Sequence, residues 1–374
     1  MKPRWGVIDA ASIAEAREMI GVGLRRDRMQ WVECATRDAI RQFCLGVGET
    51  NPLWGRGFAP PSFLYAVDAT IVAPKLAGVQ WIYAGTKWRW FDRIRVNDQF
   101  DTSARLTRVD EKTGRRFGTW VLQTGEVNYH RADGTLLGLA EGRVARTPRR
   151  ETNSEKNKEK AAKVAPGAPA ELTSHDNSIA LGSSRRGAQV RRWESVAPGD
   201  PVAPVHRKLH LVDIYRWYMG AQGALHYGGA HGDAIRYRHR HDDYEINTTT
   251  GAKDAAARGH FSAKVGKDVG MGGAYDVGPH RISWIIAMLT DWMGDDGFLA
   301  ELEVDVLRPN LVDDTTYFSG EVIRTWQADQ AFASVSIRGL NQHGALTTSG
   351  TATIALESAL GPVCLPLVST PPTR

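Results

Sequence analysis

The sequence predicts an α+β chain made of two copies of one domain, each an antiparallel sheet wrapped around a long buried helix. Three observations carry that expectation. Paired alternating runs recur in both halves, an apolar helical run precedes them in each half, and a polar tract separates the halves.

In the first half, PSFLYAVDATIVAPKLAG is the expected helix. It is followed by VNDQFDTSARLTRV and then by GTWVLQTGEVNYHRADGTLLGLAEGRVA, which read as long hairpin strands. In the second half the helix is VGPHRISWIIAMLTDWMG, where Ile282, Ile285, Ile286, Leu289 and Met293 recur at helical spacing. Asp276 suits its N-cap, Pro279 its first turn and Gly294 its C-terminus. The strands LVDDTTYFSGEVIRT and AFASVSIRGLNQHGALTTSGTATIA follow. Asp98 and Asp314 lie 216 positions apart, and Asn128 and Asn341 lie 213 apart, so the two halves read as a duplication. The tract from Arg146 to Ser178 is rich in Lys, Glu, Ala, Pro and Ser and cannot bury a core of its own. The expected division is therefore a domain over 1–147, a linker over 148–188 and a second domain over 189–374.

Composition excludes several function classes. With 42% apolar and 9% aromatic residues the 374-residue chain can bury real cores. No apolar run reaches the ~18 residues of a membrane span, and MKPRWGVIDAAS lacks an apolar signal core, so a cytoplasmic protein is expected. Cys34, Cys44 and Cys364 are isolated, which disfavours a disulfide framework or a cysteine zinc site. The net charge of +5 is scattered rather than striped, so neither nucleic acid nor a membrane is an expected partner. There is no phosphate-binding P-loop and no Gly-x-Ser-x-Gly elbow, and GVGLRR is too short for a dinucleotide fingerprint. His239 and His241 are too close together for a metal pair on a helix face.

The plan resembles the hotdog fold, in the fused double-hotdog form of the MaoC-like acyl-CoA hydratases and dehydratases. The resemblance rests on WESVAPGD, YDVGPHRISWIIAMLTDWMGDDGFL and RPNLVDDTTYFSGEV in the second half. In the first it rests on FCLGVGETNPLW and KTGRRFGTWV. It implies interconversion of a 2-enoyl-CoA and a 3-hydroxyacyl-CoA, with (R) stereochemistry, in fatty acid or lipid metabolism. No cofactor is implied beyond coenzyme A as part of the substrate. It further implies a homodimer or a hetero-oligomer of double-hotdog units.

The family pattern Asp-x-Asn-Pro-Ile-His locates the site by resemblance. GETNPLW keeps Asn51 and Pro52 but has Glu49 for the Asp and Trp54 for the His. Without an imidazole, this loop is read as a turn beside the acyl tunnel. In the second half, Gly270 and Gly278 follow His260 by 10 and 18 residues, the family register. His260 is thus the candidate general base, since histidine titrates near working pH. Gly278, opening the helix, is the candidate oxyanion donor through its backbone N–H. Ala255 stands where the Asp belongs and Asp254 one residue further away, so Asp254 is the first candidate catalytic partner, with Asp276 and Glu49 as alternatives. Tyr275, Asp276, Glu49, Asn51 and His226 are the candidate substrate contacts, and His280 reads as a packing residue. The insertion over 228–250, which contains His231, His239 and His241, and the 12 tryptophans suggest an acyl group bulkier than a short linear chain. The eroded motif also leaves open a non-catalytic acyl-CoA-binding protein, the silent subunit of a hetero-oligomeric hydratase, or a hotdog thioesterase.

Overall fold

The computed structural model describes residues 6–24, 32–114, 118–148, 189–221 and 257–367. The expected linker, apart from Pro148, lies outside the described residues. Ten strands form one antiparallel sheet: β1 (Gly23–Leu24), β2 (Gln80–Trp90), β3 (Phe100–Gly114), β4 (Gly118–Arg131) and β5 (Leu136–Thr147) from the first half, and β6 (Pro201–Lys208), β7 (Phe298–Val306), β8 (Thr315–Gln327), β9 (Ala331–Asn341) and β10 (Leu346–Leu356) from the second. Their order, β1-β3-β4-β5-β2-β7-β10-β9-β8-β6, reads as one half mirrored by the other. This is an α+β double hotdog. The halves do not keep separate sheets, because β2 and β7 pair from Gly85–Asp305 to Arg89–Glu301 and fuse them. Gly85 makes this junction possible. A side chain there would crowd Arg143, which crosses the junction to Glu303 at 2.7 Å and Asp305 at 3.0 Å.

The long helix Gly278–Met293 is buried at every residue except Asp291. A helix apolar on nearly all sides must be enclosed, and here the second half of the sheet encloses it. Gly294 closes it as expected, with φ 76°, but its N-cap is Val277 and no side chain caps it. Asp276 does not cap because its carboxylate is taken by Arg281, one turn further on.

The corresponding helix of the first half is cut short. A 3₁₀ turn Pro61–Phe63 and one α-turn, Leu64–Val67, give way to extended chain. Asp68 bonds the Thr70 N–H at 2.8 Å, a local turn that competes with helix propagation. Thr70 adopts a positive φ of 62°, and the chain then lies flat on the sheet over Gly125 and Gly142, which face each other across β4 and β5. A Cβ on Gly125 would stand 2.6 Å from Val72 Cγ1. The helix is thus replaced by a segment that is neither helix nor strand and that the two glycines admit at close range. Arg146 fastens it, donating to the carbonyls of Ala73 and Leu76.

The duplication is visible in matched hydrogen bonds. The N–H of Leu311 bonds Asp314 and that of Arg95 bonds Asp98, as the offset of 216 requires. Asn341, however, corresponds to Arg131 rather than Asn128. Both open their turns, Asn341 to Ala345 and Arg131 to Thr135, whereas Asn128 lies inside β4 opposite Ser103. The helix Arg37–Val47 matches Leu211–Arg216, which runs on as a π-turn, Trp217–Ala221. Gly46 and Gly220 are equivalent positions 174 residues apart and meet where these two elements cross. A Cβ on Gly46 would come within 2.7 Å of Ala221 Cβ, so glycine is what permits the approach.

Candidate active site

A cavity of about 590 Å³ lies between the halves, within the ordinary range for a small-molecule site. Ile71, Ile82, Trp120 and Ala145 supply an apolar wall from the first half. His260, Tyr275, Asp276, Val277 and Gly278 supply the opposite side from the second. The sequence-derived candidates His260, Gly278, Tyr275 and Asp276 therefore share one cavity. Asp254 and His226 lie outside the described residues, as do His231, His239 and His241.

His260 stands on a short helix, Arg258–Phe261, its ring 4.2 Å from that of Tyr275. Its Nδ1 is 2.9 Å from the Tyr275 carbonyl oxygen. A carbonyl only accepts, so the proton sits on Nδ1 and the lone pair on Nε2. Burial lowers the His260 pKa, against the opposing pull of the Tyr275 hydrogen bond and the Asp276 charge. The ring is thereby kept neutral with its basic nitrogen free of that bond.

Gly278 opens the long helix without a capping side chain, and Pro279 has no N–H. The helix begins its own bonding with the Arg281 N–H to the Val277 carbonyl, so the Gly278 and His280 N–H groups have no partner within the helix. Gly278 brings this positive dipole end to the cavity wall. A glycine at a helix start can admit a ligand close to the backbone. The structure fills that space from the other half: a Cβ there would stand 2.9 Å from Tyr83 Cγ. The Tyr83 hydroxyl is itself bonded to Thr70 at 2.7 Å and to Thr86.

Asp276 is buried and accepts from Arg281 Nε and Nη2, each at 2.6 Å, and from the Asn310 backbone at 3.1 Å. Arg281 Nη1 donates to the carbonyls of Arg308 and Thr347. This pair fastens the helix start to the chain between β7 and β8, and the structure gives Asp276 that work rather than an open hydrogen-bonding position. No motif marks Arg281, although its place five residues after Asp276 across a helix start is a usable signal.

Glu49 and Asn51 do not reach this cavity. Asn51 accepts from the Leu53 N–H and Glu49 from the Asn51 N–H, so GETNPLW is a turn, as expected. Asn51 and Trp54 line a separate hollow of about 30 Å³ between Pro61 and Met293, with space for about one water. It is the first half's counterpart of the large cavity, filled by aromatic side chains including Trp54 and Trp90. Burial raises the Glu49 pKa, an effect that the backbone bond from Asn51 and the nearby Arg207 oppose. His280 packs as expected, stacked on Trp217 at 5.1 Å with Nδ1 unpartnered.

With the offset of 174 through the Gly46–Gly220 crossing, the counterpart of Glu49–Trp54 falls just after Ala221, on residues outside those described. The offset has risen to 217 by Gly57 and Ala274, whose backbones bond Val96 and Val312 alike. His260 therefore stands in an insertion that the first half lacks, whereas His226 falls near the loop's own register. Among the described residues there is no cluster of metal-ligating side chains, and no helix is long and apolar enough to cross a membrane.

No family model matches the sequence, and no curated protein matches it. Solved structures do. A MaoC-like dehydratase superposes with a TM-score of 0.62 at 12% identity, over 91% of this chain and 100% of its own. A MaoC-like dehydratase from Phytophthora capsici gives 0.48 at 10% identity, over 90% of this chain and 100% of its own. A Mycobacterium tuberculosis protein with a double hotdog fold gives 0.46 at 13%, over 94% and 93%. At such identities the property shared is the fold.

Proposed function

We propose that the chain is a MaoC-like hydratase/dehydratase that interconverts a 2-enoyl-CoA and a 3-hydroxyacyl-CoA. The observation that carries this reading is His260, whose Nδ1 bond to Tyr275 leaves Nε2 basic in the cavity that the Gly278 helix start lines. In hydration, Nε2 takes a proton from water as the water oxygen bonds to C3. The C2–C3 π electrons move toward the thioester, whose oxygen becomes an enolate held by the Gly278 N–H group. The enolate collapses as C2 takes a proton, a step assigned to Asp254, and dehydration runs the same path backwards. The apolar wall from the first half takes the acyl group, and about 590 Å³ suits one larger than a short linear chain.

The test is the absorbance of the enoyl thioester, followed with crotonyl-CoA and with longer, branched or cyclic enoyl-CoAs. His260→Ala is expected to lose about 10²–10⁴-fold in rate with its melting temperature intact. The acid limb of the parent kcat/KM should have an apparent pKa below 6.5, because burial lowers that of His260. His226→Ala should stay within a few fold of the parent. If His226→Ala is dead and His260→Ala is not, the base has been misassigned.

A second reading, a non-catalytic binder of acyl thioesters, is favoured by one observation. Asp276 is the one carboxylate among the described residues lining the cavity, and it is committed to Arg281. That reading expects acyl-CoA binding without any change in the enoyl absorbance.

A further inference from the structure

The cavity walls are apolar where the acyl group would lie, yet a coenzyme A thioester also carries a pyrophosphate and a 3′-phosphate, which need cations. Among the described residues lining the cavity, Arg281 and Arg308 carry a permanent positive charge. Arg281 is wholly buried and spent on Asp276. Arg308 differs on each count. Its side chain is exposed, and it forms no ion pair among the described residues.

We propose that Arg308 clasps the phosphates of the coenzyme A carrier at the rim of the cavity. The proposal rests on the acyl-thioester reading above. The backbone of Arg308 is held on both sides: its N–H donates to the Thr347 carbonyl at 3.2 Å, and its carbonyl accepts from Arg281 Nη1 at 2.9 Å. Pro309 follows and fixes the next φ. The cation is therefore mounted on the same buried Arg281–Asp276 unit that anchors the start of the long helix. Carrier and thioester would be held by one rigid frame, the phosphates by Arg308 and the enolate oxygen by Gly278. A guanidinium suits the task because its planar fork meets two phosphate oxygens at once, and an ammonium does not reproduce that geometry.

The test is calorimetric titration of the whole chain with coenzyme A, 3′-dephospho-coenzyme A and pantetheine, which has no phosphates. Arg308→Ala should weaken coenzyme A binding about 10- to 100-fold, the loss of a charge-assisted contact, and leave pantetheine binding unchanged. Arg308→Lys should fall between the two. A penalty that vanishes with 3′-dephospho-coenzyme A places the contact at the 3′-phosphate, and one that persists places it at the pyrophosphate. Raising the salt concentration should narrow the gap between parent and variant, since the contact is exposed. Equal coenzyme A affinity in parent and Arg308→Ala overturns the proposal alone, as does an equal loss of pantetheine binding. A parent chain that binds no coenzyme A overturns the acyl-thioester reading with it.

Discussion

Removing the Asp276 carboxylate separates an anchor from a substrate contact. Asp276 accepts two hydrogen bonds of 2.6 Å from Arg281 and bonds of 3.1 and 3.3 Å from Asn310. Arg281 has no solvent exposure. In Asp276→Ala its guanidinium keeps the carbonyls of Arg308 and Thr347 but loses its counter-charge. An uncompensated buried charge of this kind costs about 3–5 kcal/mol. With a urea slope of about 3 kcal/mol per M, the unfolding midpoint should fall by roughly 1 M or more. Tryptophan fluorescence is a sufficient probe, because Trp284 and Trp292 lie on the helix that this pair anchors. Removing both charges, in Asp276→Ala with Arg281→Met, should recover much of the loss, since the stranded charge is gone. An unchanged midpoint in the single variant, with activity lost, would refute the anchor and return Asp276 to the substrate.

Two more expectations follow from packing and charge. Gly278→Ala must displace the Tyr83 ring, at a cost of about 1–3 kcal/mol, and should also lower the hydration rate by moving an oxyanion donor. A variant with parental melting temperature and rate would show that Tyr83 yields freely. Burial, with Arg216 and Arg207 nearby, lowers the His280 pKa to about 3, so the unfolded chain takes up this proton first. Stability from this group is complete above pH ~6.5 and drains away as the pH falls toward 3, by about 2 kcal/mol at pH 5. His280→Phe should therefore flatten the decline in melting temperature between pH 6.5 and 4, and parallel profiles would count against the assignment.

Most of the sheet was legible because its strands alternate and its turns repeat, so the duplication could be read from Asp98 and Asp314. The second half's helix was legible for the opposite reason, an unbroken apolar surface that only enclosure explains. The first half's helix misled. PSFLYAVDATIVAPKLAG is apolar enough for a helix, but Gly125 and Gly142, some 50 or more positions later, decide that extended chain lies there instead. No local pattern reports a groove made by distant residues. The site divides in the same way. Spacing brought His260, Tyr275, Asp276 and Gly278 to one cavity, but Glu49 and Asn51, placed with them by motif, lie away from it, and Asn51 lines the other half's filled hollow instead. Tyr83 and Arg308 join the site through strand pairing and a hydrogen bond from Arg281, relations that spacing does not encode.

The β2–β7 junction has a consequence for how the protein withstands dilution. When two separate chains share such a seam, their stability depends on protomer concentration, because unfolding releases two particles. Here both strands belong to one polypeptide, and Arg143 bonds Glu303 and Asp305 across the junction. Forming the seam is therefore a first-order event, and the cavity it helps to enclose survives at any concentration at which the chain itself is folded.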